Sequence, residues 1–148
     1  MRPYAGLLLV LMVIMALDSG RFRWSVVPLW AQSIEWLLVV VCGLVVWHLS
    51  TTNAYLSRYA RIQDERGQAV VRDGLYAHVR HPMYLGIIVL FCGLPVALGS
   101  WYSYPLSAAI VCLFVYRTRR EDRMLRDSLA GYADYAHDVH YRLVPGVW

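Results

Sequence analysis

Two clusters in this chain hold residue types that do chemistry. One is RHPMYLG, residues 80–86, where Arg, His and Pro stand at the threshold of an uncharged stretch. The other is RTRREDRML downstream, in which Arg117 and Glu121 are four residues apart. On a helix that spacing puts both side chains on one face, a cation beside an anion. An Arg in such a place suits bidentate binding of a carboxylate better than a Lys would. Pro82 fits the first turn of a helix, where its missing N–H is no loss. The free N–H groups of that helix start would seat a carboxylate or a phosphate. His81 and Tyr84 would add polar contacts beside a flat aromatic face, and Gly86 would let something pack close to the backbone. The same residues also suit plain anchoring. Arg80 and His81 could sit among headgroups, with Tyr76 and Tyr84 as interface aromatics. Arg117 and Glu121 could be a surface pair contributing roughly 0.3–0.5 kcal/mol.

The elements that must position these clusters are apolar. The 148-residue chain is 59% hydrophobic and 16% charged, whereas an ordinary soluble domain is about 25% charged. Such richness excludes a disordered chain. A soluble domain of this length could not bury so many apolar side chains, so an integral membrane protein is expected. The length predicts one domain, residues 1–148. The net charge of +4 comes from Arg alone, because the chain has no Lys. Those Arg residues flank apolar runs, so membrane topology accounts for them and no nucleic-acid partner is implied. Cys42, Cys92 and Cys112 each lie inside an apolar run, with no CxxC or Cys/His metal spacing. They read as small buried apolar residues. No metal-ligand set is expected, and His48, His78, His137 and His140 read as structural.

An all-α, multi-pass architecture of about four transmembrane helices follows from the pattern. The first apolar run, residues 4–17, is short for a span of about 20 residues and reads as a retained helix, since its cleavage pattern is poor. Residues 18–32, rich in Trp, read as a loop at headgroup level. A second span is expected over 33–49, with Glu35 near its start, at the interface or else facing the protein interior. Residues 51–83 are the polar middle. The uncharged stretch 82–116 is too long for one crossing and fits two short ones. Its turn falls at 98–105, among Gly99, Ser100 and Pro105, and Pro95 should disturb its first arm. The second arm should run on as an interfacial helix to about Leu129, ending near Gly131, followed by a short helix holding Tyr132 and Tyr135. The middle loop carries five Arg and the tail six, against two in the first loop and none in the hairpin turn. The positive-inside rule then puts the middle loop and the tail in the cytoplasm.

With these residues in hand, the chain resembles the isoprenylcysteine carboxyl methyltransferase family, integral-membrane enzymes that use S-adenosylmethionine. The resemblance rests on GLYAHVRHPMYLG, on EDRML and on GYADYAHDVHYRLVPGVW, and covers residues 53–148, the expected cofactor-binding part. The loop DSGRFRWSVVP resembles bacterial members as well. The resemblance implies cofactor contacts at Gln63, at Gln68, Val70 and Val71 of a short extended stretch, at Tyr76, at His81, Pro82, Met83 and Tyr84, and at Glu121. It implies a substrate-side Arg at Arg117; in holding a carboxylate there, Arg80 or Arg142 would assist it. Where the family has two Glu residues this chain has Glu121 and Asp122. Many relatives also carry longer N-terminal regions.

A methyl transfer to a carboxylate would need positioning above all, since the methyl carbon must lie in line between sulfur and nucleophile. A carboxylate is already a nucleophile at neutral pH, and no Ser-His-Asp or Cys-His arrangement in the chain asks to be a general base. Opposite charges cancel in such a reaction, so a water-poor site favours it. The apolar part of a lipophilic acceptor would enter from the bilayer. An amine or thiol acceptor on the same scaffold would instead need a proton acceptor nearby. Two further alternatives stay open: a non-enzymatic membrane scaffold whose Arg-rich tail binds anionic lipid, and a nicotinamide-dependent membrane reductase.

Overall fold

The N-terminal apolar run forms helix α1 (Arg2–Met15) in the computed structural model, which describes residues 2–52 and 70–148. The helix runs on as a π-helical turn, Ala16–Phe22. Helix α2 (Leu29–Thr52) follows, then a 3-10 turn (Gly74–Ala77), helix α3 (Pro82–Ala97), helix α4 (Tyr104–Ser128) and helix α5 (Tyr132–Asp138). Among the described residues every regular element is helical.

Among the described residues two stretches are long and apolar enough to cross a membrane, Ala5–Phe22 and Leu29–Thr51. Both leave large apolar side chains outside; Leu9 is 67% exposed and Trp47 69%. A helix apolar on its outer face needs apolar surroundings. Helix α3 has 16 residues, about 24 Å of rise, short of the roughly 30 Å hydrocarbon core. The apolar part of α4 ends where Arg117 begins a charged run. Full-length spans are therefore seen in two of the four places where the sequence suggests crossings.

The chain divides into two compact units, and α2, α3 and α4 each supply a segment to both. The first unit comprises Met1–Leu44 and Ile87–Phe114. Its core centres on Leu11, Met15 and Ile110, with Phe91, Leu94 and Leu106 packed around them. Pro95 lies inside α3. Its missing N–H deprives the carbonyl four residues back of a donor, and Ser107 Oγ on α4 donates to that carbonyl, Phe91 O. Glu35 stands against α3, so close that a Cβ on Gly93 would lie 2.5 Å from Glu35 Oε2.

The segment read as a loop over 18–32 is largely helical, and only 23–28 lacks regular structure. Asp18 explains the difference. Fully buried, its carboxylate accepts from Ser25 N at 2.8 Å, Ser25 Oγ at 2.6 Å, Ser100 Oγ at 2.6 Å and Tyr102 N at 3.3 Å. The Trp24 N–H closes on the Asp18 carbonyl at 3.2 Å. One carboxylate thus ties the end of the first helix to the hairpin turn.

The second unit comprises Val45–Gly86 and Val115–Trp148. Its core is Tyr132, Tyr135 and Ala136, with Val70, Leu125, Leu129 and Val139 packed on them. Gly86 permits close helix approach, since a Cβ there would stand 2.6 Å from Val46 Cγ2. Between α4 and α5 the chain reverses at Gly131, whose φ of 76° lies in the left-handed region that favours glycine.

Candidate functional site

The second unit gathers most of the residues singled out from the sequence. Helix α3 begins at Pro82, so His81 and Arg80 immediately precede it and Tyr84 lies in its first turn. Helix α4 carries Arg117, Glu121 and Asp122 beyond its apolar part. Residues four apart share a helix face. Arg117 and Glu121 occupy a partly open face, with side chains 24% and 21% exposed. Thr118 and Asp122 occupy the neighbouring, buried face.

On the open face Tyr84 joins the two charged groups. Its hydroxyl donates to Glu121 Oε2 at 2.6 Å. Arg117 Nε is 4.0 Å from the same oxygen, and its guanidinium lies 5.6 Å from the Tyr84 ring centre. The His81 ring is 5.9 Å from that of Tyr84. One Glu121 oxygen is thereby occupied, and no described residue donates to the other, Oε1.

The buried face is organised by Asp122, 1% exposed. Its Oδ1 accepts from Arg80 Nε at 2.7 Å and the Tyr132 hydroxyl at 3.1 Å, and lies 3.4 Å from His81 Nε2. Its Oδ2 accepts from Arg142 Nε at 2.8 Å and Arg126 Nε at 3.3 Å. Burial disfavours the charge on Asp122, but the hydrogen bonds from His81, Arg80 and Arg142 outweigh it and hold the carboxyl well below the usual range. Burial and the Asp122 charge push the Tyr132 phenol up. Burial likewise pushes Tyr135 up to about 12, against the opposing charge of Arg80. Both phenols stay protonated at neutral pH and act as donors.

The tail closes this arrangement. The Arg80 N–H donates to Tyr141 O and the His81 N–H to Arg142 O, each at 2.9 Å. The two donors immediately before α3 are thus spent on the tail. Arg80 is likewise committed: it is 3% exposed, its Nε is on Asp122 and its Nη1 donates to Val139 O. Direct contact with an acceptor, expected of Arg80 as an assisting cation, does not match that burial. Arg142 is partly open, with its side chain 29% exposed.

The upstream residues are placed in part. The Tyr76 carbonyl accepts from the Tyr135 hydroxyl at 2.7 Å. Val70 packs on the Tyr132–Tyr135 core, and Val71 is half-buried beside it in sequence. Met83 is half-buried and Pro82 buried. Gln63 and Gln68 lie outside the described residues. Asp122 and Tyr132 carry more of the geometry than the sequence suggested. The one readable signal was an acid set among six Arg residues of the tail, which needs several of them as partners.

The partly open face of α4 suits a ligand carrying a cationic or hydroxyl group. Glu121 Oε1, to which no described residue donates, is open to a cationic or hydroxyl group, whereas the Tyr84 and His81 rings are buried, 3% and 6% exposed. Among the described residues no cluster of His, Cys, Asp or Glu could hold a metal ion.

The chain is 23% identical, over 130 residues, to the Delta(14)-sterol reductase of Saccharomyces cerevisiae. That match covers 80% of this chain and 29% of the reductase, so the chain spans less than a third of that relative's length. The sequence pattern of the isoprenylcysteine carboxyl methyltransferase (ICMT) family matches residues 34–127, which include α3, Arg117, Glu121 and Asp122. With that match over more than half its length, the chain belongs to the isoprenylcysteine carboxyl methyltransferase family.

Proposed function

We propose that the chain transfers a methyl group from S-adenosylmethionine to a lipophilic acceptor, the carboxylate of an isoprenylcysteine-like molecule, at the cytoplasmic mouth of a four-span bundle. The observation that carries this reading is the open face of α4, where Arg117, Tyr84 and Glu121 meet at 4.0 Å or closer to one carboxylate oxygen. S-Adenosylmethionine, when bound, supplies the electrophilic methyl group. Glu121 binds its cationic or hydroxyl groups through Oε1, with Gln63, Gln68, Val70, Val71, Tyr76, His81, Pro82, Met83 and Tyr84 completing the cofactor side. Arg117 holds the acceptor carboxylate and sets it in line for displacement. Arg142 assists it from the tail, and Arg80 supports Arg142 by holding Asp122. The carboxylate needs no base. Apolar surfaces of the spans admit the acceptor's tail from the bilayer and keep water away from the reacting charges.

The test is methyl transfer by protein reconstituted in vesicles, with methyl-labelled cofactor and S-farnesylated N-acetylcysteine as the carboxylate probe. Formation of a base-labile methyl ester, lost in Arg117→Ala, is the expected result. Label appearing instead on an aminophospholipid or thiol probe would move the acceptor to an amine or a thiol on the same scaffold. The likeness to a sterol reductase favours one other reading, a nicotinamide-dependent reduction of a lipophilic substrate. Binding of NADPH in place of S-adenosylmethionine by the same protein would select it.

A further inference from the structure

Arg142 is gripped at two places and open at a third. Its Nε donates to Asp122 Oδ2 at 2.8 Å, and its guanidinium sits 5.1 Å from the centre of the Trp148 ring. No described residue pairs with either of its Nη groups, and the side chain keeps 29% of its surface exposed. A guanidinium held by its Nε edge and one face still presents a two-donor end, the fork that matches a carboxylate. The other cations on Asp122 are placed differently. Arg80 is buried with its Nη1 on Val139 O. Arg126 is 42% exposed and bonds Asp122 from within the same helix at 3.3 Å. Asp122 itself, 1% exposed, cannot reach a ligand.

We infer that Asp122 is a positioning residue for the acceptor. It aims the Nη end of Arg142 at the acceptor's carboxylate, making Arg142 a second, preset clamp beside Arg117. This inference rests on the carboxylate reading above. An Arg tethered at Nε loses less side-chain freedom on binding than a free one, so the tether should appear in acceptor affinity rather than in cofactor affinity. Arg80 grips both oxygens of Asp122, with Nε on Oδ1 at 2.7 Å and Nη2 on Oδ2 at 3.4 Å, and keeps the carboxylate from turning away from Arg142.

The experiment is a set of four variants, Asp122→Asn, Asp122→Glu, Arg142→Lys and the double Asp122→Asn/Arg142→Lys. Each is assayed in vesicles with the S-farnesylated probe, and each is titrated separately with S-adenosylmethionine in detergent. Arg142→Lys leaves the Asp122–Arg80 pair in place, so it tests the idea even if Asp122→Asn does not fold. The expected result is a KM for the probe about tenfold higher in Arg142→Lys and in folded Asp122→Asn, with cofactor Kd within about twofold of wild type. The double variant should be no worse than the poorer single one, because both remove the same interaction. Asp122→Glu should recover most of the KM. An unchanged probe KM in Arg142→Lys would overturn the inference. So would fully multiplicative effects in the double variant, or an Asp122→Asn that loses kcat and cofactor affinity in parallel with folded protein. A wild type that binds cofactor yet never methylates the carboxylate probe would overturn the carboxylate reading itself, and the inference with it.

Discussion

Asp122 receives donors from Arg80, Arg126, Arg142 and Tyr132 and is almost wholly buried. Truncating it would leave the buried Arg80 guanidinium without its counter-charge, so Asp122→Ala should destabilise the fold by about 3–5 kcal/mol. Thermal unfolding in detergent checks this. The depressed ionisation of Asp122 also sets a pH dependence. Between the unfolded value near 4 and its lower native value, the unfolded chain binds a proton that the native one does not. Stability from Asp122 is therefore fully present above about pH 5 and falls as pH drops from there. The unfolding midpoint should be insensitive to this group between pH 6 and pH 8, and should decline below about pH 4 in wild type. Asp122→Asn should remove that part of the decline. At this scale the sequence was readable where spacing is local. Arg117 and Glu121 share a face because they are four apart, and the structure places them 4.0 Å apart. Asp122 was not readable in the same way. Two of its arginine partners stand 42 and 20 positions away, and nothing local distinguishes them from headgroup anchors.

Helix starts and stops follow breaker chemistry closely. Pro82 opens α3, Gly131 reverses the chain between α4 and α5, and the hairpin turn falls between Ala97 and Tyr104. The first loop departs from that pattern, because partners more than 80 residues downstream recruit Asp18 and extend the first helix by a π-helical turn. Two substitutions test the packing of these elements. Gly86→Ala would put a methyl group 2.6 Å from Val46 Cγ2. Overpacking of that kind should cost about 1–3 kcal/mol, and Val46→Ala in the same protein should relieve it. Ser107→Ala would leave the Phe91 carbonyl, already without its Pro95 donor, unsatisfied. A loss of about 1–3 kcal/mol is expected, read as a lower unfolding temperature with cofactor affinity unchanged.

Across the whole molecule, composition points to a membrane setting and the charge distribution suggests an orientation. Among the described residues two helices are long and apolar enough to cross, while the shortness of α3 was hidden by an uncharged run that continues through its turn. The proposed orientation puts the tail in the cytoplasm. After replacement of Cys42, Cys92 and Cys112 by Ala, a cysteine introduced at exposed Ala133 on α5 should react with an impermeant maleimide only in inside-out vesicles. Reaction in right-side-out vesicles would invert the topology. The most direct test of the central claim, that the second unit binds S-adenosylmethionine beside Glu121, is calorimetric titration of the cofactor into the detergent-solubilised protein with Glu121→Ala alongside. The account predicts saturable binding by wild type and at least about tenfold weaker binding by the variant, a difference of about 1.4 kcal/mol. A folded wild type that takes up no cofactor, or a variant that binds as tightly as wild type, would contradict it.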